Sequence, residues 1–171
     1  MSIIDKNNLD KSKRYWLNDA KNLVTSLSKF HGDIKLDIVS QDFTNLTPLE
    51  TKLLDAKEAL VRQITLSNSN KTFVFARTIV PRNTYNYFIQ ELDGLGTKPI
   101  GDNLLFDKSK FNRDEFIIRQ LSTKAFYEET GKNQQQDVFS RSSIFEYKND
   151  KKLKFLITEY FLTLPEQYDA K

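Results

Sequence analysis

Two arginines and a glutamate stand out because each falls where an uncharged residue would be expected. In Leu60-Val61-Arg62-Gln63-Ile64-Thr65-Leu66, alternation along an extended chain puts Arg62 on the face of Leu60, Ile64 and Leu66. In Phe73-Val74-Phe75-Ala76-Arg77-Thr78-Ile79-Val80-Pro81, Arg77 falls with Phe73, Phe75 and Ile79. In the run from Leu153 to Leu162, Glu159 falls with Leu153, Phe155, Ile157 and Phe161. A charge on an apolar face loses hydration unless a counter-charge or hydrogen-bond partner replaces the water. The three could satisfy one another as a buried ion network. Two cations and one anion, however, leave positive charge over, which a bound anion would balance. Such a set suits a small dicarboxylic acid: guanidinium groups grip carboxylates by paired hydrogen bonds while the acid works on a hydroxyl or a C–H bond.

Other chemistries lack their residues. The chain has no cysteine and one histidine, His31, so it has no thiolate nucleophile, no thiolate metal site and no base beside a serine. There is no G-x-G-x-x-G and no P-loop pattern. Lys98, in a turn, is read as solvated, and His31 as a surface or edge residue.

The segments that carry these residues read as strands. Phe73–Val80 is short, β-branched and aromatic, and stops at a proline. The polar cluster Ser67-Asn68-Ser69-Asn70 joins it to the Arg62 strand, which predicts an antiparallel hairpin with both arginines on one sheet. Further strands are expected at Ile34–Val39, Asp114–Leu121, Val138–Tyr147, where Arg141 shares a face with Phe139 and Phe145, and Leu153–Leu162. The spacing of apolar residues between Trp16 and Lys29 predicts an amphipathic helix, or a pair broken near Thr25-Ser26. Thr47-Pro48-Leu49-Glu50 is a capping box opening a short helix through Ala56, and Tyr85–Leu92 is a helix ending at Gly94. Gly96, Pro99 and Gly101 punctuate a turn, serving either turn geometry or close approach to a ligand, and Glu128–Asp137 reads as a loop. About six strands with short connections and a few helices indicate an α+β fold with a mainly antiparallel sheet.

At 171 residues and a net charge of +3, the expectation is one domain over residues 1–171, with a polar, disordered stretch over 1–14. Neither charge sign is gathered into a block and no basic stripe carries interleaved aromatics, so no nucleic-acid partner is expected. No segment approaches a membrane span, no signal peptide is legible, and the absence of cysteine fits a reducing compartment; a cytoplasmic monomer is expected.

Arg62, the run Phe75-Ala76-Arg77-Thr78-Ile79-Val80-Pro81, the run Leu95-Gly96-Thr97-Lys98-Pro99-Ile100-Gly101 with Leu105-Phe106, and Leu156-Ile157-Thr158-Glu159-Tyr160-Phe161-Leu162 together resemble the chorismate pyruvate-lyases, in order and spacing from about Leu17 to Tyr168. The resemblance implies a small antiparallel sheet with flanking helices and flap-like segments over the ligand. It implies removal of pyruvate from chorismate to leave 4-hydroxybenzoate, without cofactor or metal, at the start of ubiquinone biosynthesis. Carried over by position, Arg62 is the arginine that grips the ring carboxylate, Arg77 serves the second anionic pocket, Glu159 faces the ring oxygen, and Ile100 offers a backbone amide. Leu27, in Ser26-Leu27-Ser28, stands where the family has a methionine making a second backbone contact. The rival reading is a non-catalytic effector-binding module of the same fold. Such modules normally follow a DNA-binding domain, and only a short polar segment precedes Trp16 here.

Overall fold

A computed structural model describes residues 2–169. The strands are β1 (Ser2–Ile4), β2 (Lys35–Asn45), β3 (Glu58–Ser67), β4 (Thr72–Pro81), β5 (Phe111–Arg113), β6 (Ile117–Leu121), β7 (Val138–Tyr147) and β8 (Lys154–Phe161). The α-helices are α1 (Lys11–Arg14), α2 (Leu23–His31), α3 (Pro48–Leu54), α4 (Arg82–Tyr87), α5 (Ile89–Asp93) and α6 (Thr123–Thr130), with π-helical turns at Tyr15–Asp19 and Gly101–Leu105. All eight strands form one antiparallel sheet in the order β1-β6-β7-β8-β4-β3-β2, with β5 also pairing with β7. The α+β class is as expected, with two more strands than the sequence suggested. Within the N-terminal stretch expected to be disordered, β1 pairs with β6; Met1 lies outside the described residues.

Local sequence explains most boundaries. Asn68 closes the β3–β4 hairpin, its Oδ1 accepting from the amides of Asn70 and Lys71, both at 2.9 Å. The capping box of α3 is complete: Thr47 Oγ1 accepts from the Glu50 amide and Glu50 Oε1 from the Thr47 amide. The amphipathic stretch from Trp16 breaks earlier than Thr25-Ser26. Asn22 caps α2 by accepting from the Thr25 amide at 3.2 Å, so Tyr15–Asp19 forms a separate turn. Helix α6 was not expected. Ser122 caps its start and Gly131, at φ +71°, ends it, so the segment read as a loop from Glu128 begins inside a helix.

One irregularity decides where the charges go. Ser67 opposes Thr72, but Leu66 then opposes Val74, leaving Phe73 as an extra residue in β4. A regular ladder would set Arg62 against Arg77. The bulge shifts the pairing by one, so Arg62 opposes Thr78 and Arg77 opposes Gln63. The two arginines therefore point to opposite faces of the sheet.

Each face carries two apolar clusters with a polar strip between them. On the Arg62 face, one cluster gathers Leu60, Val80, Phe88, Leu92, Phe145 and Phe155 under α4 and α5. The other gathers Trp16, Leu17, Leu27, Val74, Ala76 and Phe161 under α2 and the turn before it. On the Arg77 face, Phe75, Leu121, Phe126, Val138 and Tyr160 pack beneath α6, and Ala59, Val61, Ile79 and Leu156 beneath α3.

Candidate active site

The strip on the Arg62 face encloses two adjoining cavities that share Thr78 and Ile100 as walls. Arg62 lines the smaller, of about 10 Å³; Glu159 lines the larger, of about 60 Å³. Register fixes their relation: Arg62 opposes Thr78, Thr78 opposes Ile157, and Glu159 follows two residues on, opposite Ala76. Standard strand spacings set the two Cα atoms about 12 Å apart, with both side chains on the same face.

Arg62 is 4% exposed. Its Nη1 donates to the Gly96 carbonyl at 3.1 Å and more weakly to Gln41 Oε1, and its Nη2 donates to the Lys98 carbonyl at 3.0 Å. No carboxylate of the described residues lies within ion-pair distance of it, and burial lowers its pKa. The guanidinium thus pins the Leu95–Gly101 segment over the sheet while its charge stays unneutralised. Gly96 serves the turn, at φ +57°. Gly101 serves close approach, because the Phe106 ring lies where a Cβ would stand, and both residues line the larger cavity. Ile100 walls both cavities, and its amide has no acceptor among the described residues.

Glu159 accepts from Arg141 Nε through Oε1 at 2.8 Å. Arg141 is fully buried and is held further by Nη1, which donates to the carbonyls of Trp16 at 3.0 Å and Ala20 at 2.6 Å. These bonds tie β7 and β8 to the turn that leads into α2. Glu159 Oε2 makes no hydrogen bond among the described residues, and so remains an acceptor on the cavity wall.

The expected residues do not all meet. Arg62, Ile100 and Glu159 line the two adjoining cavities. Arg77 does not: on the opposite face its Nε and Nη2 donate to Glu50 Oε2 and Oε1 at 2.8 and 2.9 Å, and its Nη1 to Gln63 Oε1 at 2.8 Å. Burial works against the charge of Arg77, but the hydrogen bonds and charge of Glu50 outweigh it and its pKa is raised. Leu27 also falls outside. It is fully buried in the second turn of α2, where a helical amide is bonded to the carbonyl four residues back. Leu23 and Val24, one turn earlier, line the cavity, and their amides belong to the helix's first turn, with no acceptor among the described residues.

Two residues of this face and one of the other have roles that the sequence pattern does not show. Arg141 was placed on an apolar strand face, but its partner Glu159 was assigned elsewhere. Arg113, on a three-residue strand, showed no alternation; it lines the Glu159 cavity and opposes Phe145 in the register. Glu50 was read only as a cap, yet it is 2% exposed and the counter-ion of Arg77. Among the described residues no group of three or more His, Asp or Glu side chains is arranged to hold a metal ion, and no helix is long and apolar enough to cross a membrane.

Comparison with known proteins bears on the fold and on the family. A solved structure titled as the ligand-binding domain of a putative GntR-family transcriptional regulator from Bordetella bronchiseptica is similar in fold, with a TM-score of 0.56 at 13% identity, over 82% of this chain and 91% of that one. A probable chorismate pyruvate-lyase of Pseudoalteromonas atlantica is 30% identical over 161 residues, covering 90% of this chain and 80% of the relative. One of Coxiella burnetii is 27% identical over 157 residues, covering 88% and 82%. The family model described as chorismate lyase matches residues 5–171, and the chain belongs to that family.

Proposed function

We propose that the protein removes pyruvate from chorismate to give 4-hydroxybenzoate, without cofactor or metal, as the cytoplasmic first step of ubiquinone biosynthesis. The observation that supports this most is the placing of Arg62 and Glu159 on one face of the sheet, in two adjoining cavities that share Thr78 and Ile100 as walls. Chorismate carries a ring carboxylate and, across the ring, a hydroxyl. Arg62 takes the carboxylate, helped by the amide of Ile100 and the first-turn amides of α2. Glu159 accepts a hydrogen bond from the C4 hydroxyl through its free Oε2.

In the reaction the C3–O ether bond breaks, the C4 hydrogen leaves as a proton, and the electrons of the C4–H bond complete the aromatic ring. The ether oxygen departs with enolpyruvate, which takes up one proton at its methylene carbon to become pyruvate. Aromatisation supplies much of the driving force, so positioning is the enzyme's main task. Glu159, committed through Oε1 to Arg141, is built to orient the hydroxyl. We read Arg77 as support for the sheet from its other face, and Val24, which lines the cavity, as making the backbone contact that the resemblance implies for Leu27. The test is incubation of purified protein with chorismate in excess EDTA: stoichiometric 4-hydroxybenzoate and pyruvate are expected, and intact chorismate or a requirement for added metal refutes the reading.

A further inference from the structure

Chorismate has a second carboxylate, on the enolpyruvyl group, and its place is constrained by chemistry. The ether is on C3, next to the C4 hydroxyl, so a site that faces the hydroxyl with Glu159 must meet the second carboxylate close to Glu159. Arg77, on the other face with Glu50, cannot reach it. We propose that Arg113 is the residue that binds the enolpyruvyl carboxylate. This rests on the lyase reading above.

Arg113 lines the same cavity as Glu159 and Ile157. It is held in place without an anion: Nε donates to Ser143 Oγ at 3.3 Å and Nη1 to the Lys21 carbonyl at 2.8 Å, while Phe106, Phe116 and Phe145 surround the guanidinium at 5.3, 4.5 and 4.8 Å from their ring centroids. Nη2 has no hydrogen-bond partner, and no carboxylate lies within ion-pair distance, among the described residues. Glu159 is the nearest acid by its influence, but Arg141 already engages it. Burial, with Arg141 adding to it and Glu159 opposing it, pulls the Arg113 guanidinium down to about 10. Aromatic faces keep a guanidinium oriented and partly dry while leaving its edge donors free, which is what a preorganised carboxylate receptor needs.

Around the cavity Arg141 pairs with Glu159, and Asp102, also on the wall, accepts from Asn22. Among the described residues neither Arg62 nor Arg113 has an acid within ion-pair distance, so each is left to take one carboxylate of a dianion. Arg113 also walls a surface groove whose charged lining is Lys21, Lys108 and Lys148 with Asp114 and Glu115, positive on balance. A positive approach favours encounter with a dianion. After the reaction the ring product has lost the group that Arg113 holds, so Arg113 discriminates substrate from product.

Two unreactive probes isolate the second carboxylate: 3-(carboxymethoxy)benzoate, a dianion, and 3-methoxybenzoate, its monoanionic counterpart. By calorimetry the wild-type protein is expected to bind the dianion at least about tenfold more tightly, and Arg113→Gln to abolish that preference while shifting the monoanion less than about threefold. Arg113→Lys should retain part of the preference, and kcat/KM for chorismate should fall about 100-fold in Arg113→Gln. A wild-type protein that turns over chorismate yet shows no dianion preference overturns the assignment without any variant, as does a folded Arg113→Gln that keeps the preference. A wild-type protein that neither converts chorismate nor binds either benzoate overturns the lyase reading itself.

Discussion

Arg77 and Glu50 test the division of the sheet into a working face and a supporting face. Arg77 is 7% exposed and Glu50 2%, joined by two short hydrogen bonds. Arg77→Met keeps the length of the side chain but leaves the Glu50 carboxylate buried, with the Thr47 amide as its remaining hydrogen-bond donor among the described residues. Breaking a buried pair by removing one partner costs about 3–5 kcal/mol. For a chain of this size each kcal/mol moves the melting temperature by about 2–4 °C, so a fall of roughly 6–20 °C is expected. The double variant Arg77→Met/Glu50→Met leaves no orphaned charge and loses mainly the capping box, worth about 1 kcal/mol, so it should melt well above the single variant. Because the pair lies across the sheet from the cavities, kcat/KM for chorismate, corrected for folded protein, should stay within about threefold. A variant of normal stability that has lost turnover would place the second anionic pocket with Arg77 and refute the reasoning.

The remaining predictions concern the working face. Arg62→Ala should weaken 4-hydroxybenzoate binding by about 2–5 kcal/mol in calorimetry, and unchanged affinity in folded protein would remove Arg62 from the site. Glu159→Gln should lower chorismate turnover more than product affinity; it should also lower the melting temperature, because Arg141 keeps its two carbonyls but loses its anion, and full turnover in the folded fraction would remove Glu159 from the reaction. Gly101→Ala places a Cβ within the Phe106 ring, so the ring must move; a loss of about 1–3 kcal/mol in stability or ligand binding is expected, and melts and calorimetry that both match wild type would show the ring yields freely.

Alternation read the face of each charge within its own strand, and the capping box and hairpin turn were legible because their residues act within four positions. How one strand's faces relate to the next depends on register, and here on one residue: the bulge at Phe73 separates Arg62 from Arg77. Nothing in the polar turn Ser67–Asn70 announces it. Glu50 was hidden by its local role, since its capping carboxylate also serves a strand distant in sequence. Arg113 was hidden because a three-residue strand is too short for a period. Signals for α6 were present in Ser122 and Gly131 and were outweighed by the glutamines that follow.

The two faces use one sheet for opposite ends. On the Arg77 side the buried arginines are matched: Arg77 by Glu50, and Arg119 by Glu129, which also accepts from Tyr160. Burial and the neighbouring Glu129 raise the Tyr160 pKa, so that hydroxyl stays protonated as a donor. On the Arg62 side, among the described residues, only Arg141 is matched by an acid, and Arg62 and Arg113 rest on carbonyls, a hydroxyl and aromatic rings. Neutral partners orient a guanidinium but do not discharge it, so this face stores desolvated positive charge that the folded chain could have neutralised, as it does across the sheet. An anion that binds there meets donors already stripped of water and fixed in direction. On the proposal that Arg62 and Arg113 each take one carboxylate, the stability forgone on one face would return as affinity for a dianion, while strands β3, β4, β7 and β8 contribute residues to both faces.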